Sequence, residues 1–140
     1  MHFKTIAIHA GYDPQAHLGA VMPPIFQTST FAFRGVGQPG PFDYSRSGNP
    51  TRKALEQCLA ALEGGAFGFA FATGMAAEAT ALMMFESGDT VAVHNDLYGG
   101  TYRLFESVFR GKQIRAEFVD LRDLEALRAV LARGAKAVWI

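Results

Sequence analysis

Residues 67–94 read FGFAFATGMAAEATALMMFESGDTVAVH, and the order of their apolar runs and turns decides the fold. Phe67 to Ala72 predicts a buried strand, Thr73-Gly74 a tight turn and Met75 to Glu86 a helix. Ser87-Gly88-Asp89 then turns the chain into a second strand, Thr90 to His94. Downstream the pattern repeats. Thr101 to Phe109 suits a helix, and Ile114 to Val119 a strand. Leu124 to Ala132 suits a helix with Leu124, Leu127, Val130 and Leu131 inward, and Ala137 to Ile140 a last strand. Such crossovers give an α/β fold, a mainly parallel sheet covered by helices on both faces, with ligands at the carboxyl ends of its strands. The last strand stops at Trp139-Ile140 without a polar turn, so residues 51–140 are expected to be the first, truncated part of a larger α/β domain.

Upstream the character differs. Residues 1–50 hold all six prolines and show no sustained helical or alternating period, which predicts an arm. Ile25, Phe26, Phe31 and Phe33 predict that this arm packs on its own domain or on a second copy. Asn49 then suits a helix N-cap and Pro50 a first helical position. Ala54, Leu55, Cys58, Leu59 and Leu62 form an apolar stripe before Gly64-Gly65 ends the helix.

The 140 residues suit one ordinary domain, and 49% hydrophobic content supplies a core. Thirteen basic residues balance thirteen acidic ones, without basic runs, which argues against nucleic acid and anionic membrane surfaces as partners. No stretch reaches the roughly 18 apolar residues of a membrane span, and the amino terminus lacks a secretory pattern, so a cytoplasmic protein is expected. The lone Cys58 precludes an internal disulfide and is expected in a core. His2, His9, His17 and His94 lack paired spacing for a metal. No P-loop and no Gly-x-Ser-x-Gly elbow is present. Gly35, Gly37 and Gly40 match a dinucleotide-binding spacing, but Pro39 and Pro41 obstruct a helix there, so the segment is expected to be a loop.

Three places carry candidate chemistry. Thr73-Gly74-Met75 puts the free amides of a helix start beside a strand end, an anion seat; a plain helix cap and turn explains it equally. Tyr44 and Arg46, two apart in a segment expected to be extended, would point to one side and hold a phosphate together; a surface loop with Arg46 solvated or paired to Asp43 is the alternative. Tyr98, before Gly99-Gly100, could stack on a flat heteroaromatic ligand or simply wall the sheet edge.

In order along nearly the whole chain, the segments Ala20 to Phe31, Tyr44-Ser45-Arg46-Ser47-Gly48-Asn49-Pro50-Thr51-Arg52, Leu62-Glu63-Gly64-Gly65, Thr73-Gly74-Met75-Ala76-Ala77 and Asp96-Leu97-Tyr98-Gly99-Gly100-Thr101 closely resemble the Cys/Met-metabolism family of pyridoxal-phosphate enzymes. The resemblance implies a fold-type-I, aspartate-aminotransferase-like domain, incomplete here and preceded by an arm and inter-subunit loop over 1–50. It implies that Tyr44 and Arg46 bind the phosphate of pyridoxal 5'-phosphate in a partner's site. Gly74 and Met75 would bind it through backbone amides in their own site, and Tyr98 would stack on the pyridine ring at the reacting centre. Thr73 stands where many members carry serine. The cofactor-linking lysine, the aspartate facing the pyridine nitrogen and the arginine gripping the substrate carboxylate belong to later sequence. Lys4, Lys53, Lys112 and Lys136 do not fall in the family's lysine context.

The implied function is γ-replacement or elimination on cystathionine or an O-acylhomoserine, of the cystathionine γ-synthase or lyase type. O-acetylhomoserine sulfhydrylase and methionine γ-lyase are the alternatives within the family. The resemblance further implies an amino-acid substrate and a homo-oligomer, a dimer of dimers with shared active sites. Residues 1–140 alone are expected to be inactive. A non-catalytic fragment that binds phosphate or pairs with a whole subunit is the alternative of another class.

Overall fold

Asn49 begins the longest helix, α2 (Pro50–Glu63), and ties the preceding chain to it. Its Oδ1 accepts from the Thr51 amide at 2.9 Å, while its Nδ2 donates to the Phe26 carbonyl at 3.0 Å and to Ser45 Oγ at 2.9 Å. Thr51 repeats the device: its Oγ1 accepts from the Phe26 amide and donates to the Pro24 carbonyl. One cap thus orders two loops. The computed structural model describes residues 2–140, which divide into two compact units, one running to Ala70 and the other spanning Phe71–Ile140.

In the first unit the arm is less irregular than its sequence predicts. Residues Phe3–His9 form helix α1, which packs on α2, and Pro14–His17 form a 3-10 turn capped by Asp13. Seven residues are too few for a period to be read, and tertiary contact with α2 supplies what propensity does not. Gly11 makes the contact possible. A Cβ at Gly11 would stand 2.4 Å from the Ala54 carbonyl oxygen, and its φ of +77° is one that side chains disfavour. Helix α1 covers the Ala54 and Cys58 side of the apolar stripe and leaves Leu55 and Leu59, about 100° further round, half exposed. Cys58 is accordingly half-buried rather than in a core, its Sγ 3.8 Å from the Ala7 carbonyl oxygen. The Gly35–Gly40 segment is a loop, with a tight turn closed by a bridge between Gly35 and Gln38.

In the second unit, α3 spans Gly74–Leu82, β1 Thr90–His94, α4 Gly99–Arg103, β2 Arg115–Val119, α5 Leu124–Ala132 and β3 Ala137–Trp139. The three strands are parallel in the order β2-β1-β3, with Val93 opposite Phe118 on one side and Trp139 on the other. Val91, Ala92 and Val93 are fully buried, as a central strand covered on both faces requires. Leu82, Leu104, Phe105, Phe109 and Ile114 complete the core, with Phe105 edge-on to Trp139 at 5.7 Å. After α4 the chain continues as a π-helical turn over Leu104–Phe109, whose wider period places Leu104 and Phe109 on the same inward face.

Three expectations fail here. Phe67 to Ala72 is not a buried strand: it pairs with none of the three strands, and Phe67, Phe69 and Phe71 are exposed. Apolar alternation supplies a strand's faces but not its ladder partners, and the Ala70 amide bonds to Glu56 Oε1 instead. The helix expected to reach Glu86 ends at Leu82, and Met83 and Met84 are exposed. On α5 only Val130 is fully inward. Leu124 and Leu131, seven residues apart, share a flank turned away from it.

Asn49→Ala is expected to lower unfolding free energy by about 1–2 kcal/mol in a denaturant melt. Asn49→Asp, which keeps the acceptor for Thr51 but loses both donors, should fall between that variant and the parent.

Candidate functional site

Helix α3 starts at Thr73, whose Oγ1 accepts from the Ala76 amide at 3.1 Å while its carbonyl accepts from Ala76 and Ala77. Gly74 and Met75, the first two helical residues, have no i−4 acceptor, and neither donates a hydrogen bond among the described residues. A Cβ at Gly74 would meet nothing within 4 Å, so the side of the helix start that Gly74 faces is open. Two free N–H groups at the positive end of the helix dipole make an anion seat.

Tyr98 stands beside that seat. It is the residue before α4, just past the short turn that follows β1, and it is 68% exposed. A Cβ placed on Gly100 would lie 2.3 Å from Tyr98 Cε1 and 2.9 Å from Met75 Sδ. The tyrosine ring, the methionine and the start of α4 therefore converge on one point that only glycine leaves free. The helix starts of α3 and α4 are neighbours, and Thr101 Oγ1, 3% exposed, donates to Glu78 Oε2 across them at 2.7 Å. An exposed flat ring next to two free amides is suited to a planar ligand that carries a phosphate. Pyridoxal phosphate fits this donor set.

Tyr44 and Arg46 are brought together in the first unit, although the segment is not extended. Tyr44 forms an isolated antiparallel bridge with Thr30, and residues 45–47 turn, with the Ser47 and Gly48 amides both donating to the Tyr44 carbonyl. The turn, not strand alternation, folds the guanidinium of Arg46 back over the Tyr44 ring at 4.6 Å. Asp43 does not hold Arg46. Its Oδ1 accepts from the Tyr44 amide and from Ser47 Oγ, and among the described residues Arg46 makes no ion pair. Arg52 is engaged instead, donating to the Ser47 carbonyl and facing Glu56 at 3.5 Å.

Sequence inspection singled out neither the Glu78–Thr101 bond nor the turn after β2. In that turn Asp120 accepts from the Arg122 guanidinium, at 2.9 Å from Nε and 2.8 Å from Nη2, and from the Arg122 amide at 3.0 Å. These bonds, led by the side-chain pair, hold the Asp120 carboxyl down to about 2. The Leu121 amide is 3.3 Å from His94 Nδ1, which joins the turn to the end of β1. An Asp-x-Arg triplet just past a strand is the only signal the sequence carried. Among the described residues no group of three or more His, Cys, Asp or Glu side chains is placed to hold a metal, and no helix is long and apolar enough to cross a membrane.

A parallel α/β sheet with a phosphate seat and an aromatic platform at its carboxyl end defines a class of cofactor-binding domains. The chain belongs to the Cys/Met metabolism PLP-dependent enzyme family, whose model matches residues 4–140. Its fold is that of the fold-type-I enzymes, of which it covers only a part. It is 47% identical over 138 residues to a probable cystathionine gamma-synthase of Herpetosiphon aurantiacus, covering 99% of this chain and 43% of that protein. It is also 47% identical over 136 residues to a cystathionine beta-lyase of Lactococcus lactis subsp. cremoris, covering 97% and 36%. The crystal structure of metB from Corynebacterium glutamicum superposes with a TM-score of 0.90 at 39% identity, covering 100% of this chain and 37% of that one. The chain thus spans well under half the length of these relatives.

Gly100→Ala is expected to push the Tyr98 ring off the helix start, seen as a changed Tyr98 ring environment by NMR while β1 shifts stay put. By NMR titration the Asp120 carboxylate should show a midpoint near 2, moving up toward the ordinary 3.8 in Arg122→Ala. Because the folded value lies below the unfolded one, this bond's contribution to stability is complete above the ordinary carboxylate range and is lost as pH falls through about 2.

Proposed function

We propose that the full-length protein is a pyridoxal-phosphate enzyme of transsulfuration, catalysing γ-replacement or elimination on cystathionine or an O-acylhomoserine. The observation that carries this reading is the convergence of Tyr98, Met75 and Gly100 beside the unpaired amides of Gly74 and Met75. When bound, pyridoxal phosphate supplies an electron sink for the carbon chemistry of an amino-acid substrate. The residues of this chain bind and orient it. The Gly74 and Met75 amides hold its phosphate, and the exposed face of Tyr98 sets the plane of its ring. Met75 and Gly100 keep the tyrosine from turning away.

Tyr44 and Arg46 serve the phosphate of a second copy's site. The stacked pair keeps the guanidinium fork pre-aimed and uncommitted to any carboxylate, which suits an anion arriving from outside the unit. The active sites are therefore shared between subunits of a cytoplasmic homo-oligomer, a dimer of dimers, with residues 1–50 as arm and inter-subunit loop. The proton-shuttling lysine lies outside residues 1–140, so this part alone does not turn over cystathionine.

In the full-length protein Arg46→Ala should weaken pyridoxal phosphate about ten- to a hundredfold, the scale of a lost charge-assisted phosphate bond, with the oligomer intact by sedimentation. Unchanged cofactor affinity in an intact oligomer would refute the shared site. Turnover of cystathionine or an O-acylhomoserine by residues 1–140 alone would refute the assignment of the shuttle elsewhere.

A further inference from the structure

Thr101 is the buried polar side chain of the core among the described residues, and its hydroxyl has one partner, the Glu78 carboxylate at 2.7 Å. Glu78 lies three residues after Met75 on α3, so both side chains leave the same face of that helix, one turn apart. Their counterparts on α4 are consecutive: Met75 Sδ faces Gly100, and Glu78 holds Thr101. Two contacts at different heights restrict both sliding and rotation of one helix start against the other. An apolar contact alone, such as Met75 on Gly100, has no directional preference, whereas a hydrogen bond to a carboxylate has one.

The geometry points to Glu78 and Thr101 as positioning residues for the cofactor site, neither of which touches the cofactor. They set the distance between the ring of Tyr98, the residue that precedes α4, and the Gly74 and Met75 amides, which open α3. A ligand that must lay its ring on one helix start and its phosphate on the other feels that distance directly. The inference rests on the proposed role of Tyr98 and adds the element that holds it in place.

The test uses the full-length protein stripped of cofactor and titrated with pyridoxal phosphate. Thr101→Val and Glu78→Met should each raise Kd about tenfold, the scale of one buried bond to a charged acceptor. Each should also reduce the circular dichroism of the cofactor per bound molecule at saturation, a quantity that loss of stability alone leaves unchanged. The double variant should be no worse than either single one. Thr101→Ser, which keeps the hydroxyl, should return both readouts to near the parent. If Thr101→Val does not fold, Glu78→Met reads the same bond from its other end. Parent-like Kd and dichroism in these variants, while Tyr98→Leu changes both, would overturn the clamp and leave the Tyr98 reading standing. Parent-like values in Tyr98→Leu as well would overturn the reading on which the clamp rests.

Discussion

The missing side chain at Gly100 is the constraint on which the second unit's site depends. A single methyl group there would sit 2.3 Å from the Tyr98 ring and 2.9 Å from the Met75 sulfur, distances no packed structure tolerates. Removing that methyl lets the ring lie over the helix start and lets α3 approach α4. The approach in turn brings the Thr101 hydroxyl within reach of Glu78 and buries it with its bonding satisfied. Phosphate-type donors and an aromatic face thus share one place because two helices begin side by side.

The sheet fixes where that place is. Strand β1 is central and fully buried over Val91–Val93, so its carboxyl end delivers His94 to Tyr98 to one rim of the unit. Trp139 from β3 and Phe105 from the π-helical turn close the core beneath. The turn after β2 adds to the same rim, with Arg122 holding Asp120 and the Leu121 amide facing His94. Arg122 there is charged and exposed, unlike the apolar floor, and contrast of this kind is usual where a rigid scaffold presents loops to a ligand.

In the first unit the comparable device is the start of α2. Asn49 and Thr51 use four hydrogen bonds to bind the 24–26 stretch and the Ser45 turn to one helix end. The turn bearing Tyr44 and Arg46 is therefore held in shape although both flanking loops are rich in proline and glycine. Guanidinium and phenol come together by stacking, with the Arg46 guanidinium 4.6 Å from the centre of the Tyr44 ring.

Local signals were enough for much of this. Asn49-Pro50 and Gly64 marked the ends of α2, and the Leu124–Ala132 period marked α5. The run Thr90–His94 marked the central strand, because caps, prolines and apolar periods act within a few residues. Short motifs likewise placed Gly74, Met75 and Tyr98 at helix starts, whereas Tyr44 and Arg46, expected in an extended segment, are joined by a turn. What the sequence could not decide is pairing across space. Phe67 to Ala72 has a strand's alternation without a ladder, α1 exists because α2 is there to receive it, and Leu124 and Leu131 lie on a flank of α5 turned away from Val130. The Glu78–Thr101 bond and the fold-back of Arg46 onto Tyr44 likewise required tertiary structure, since each depends on the angle between segments, which no local pattern encodes.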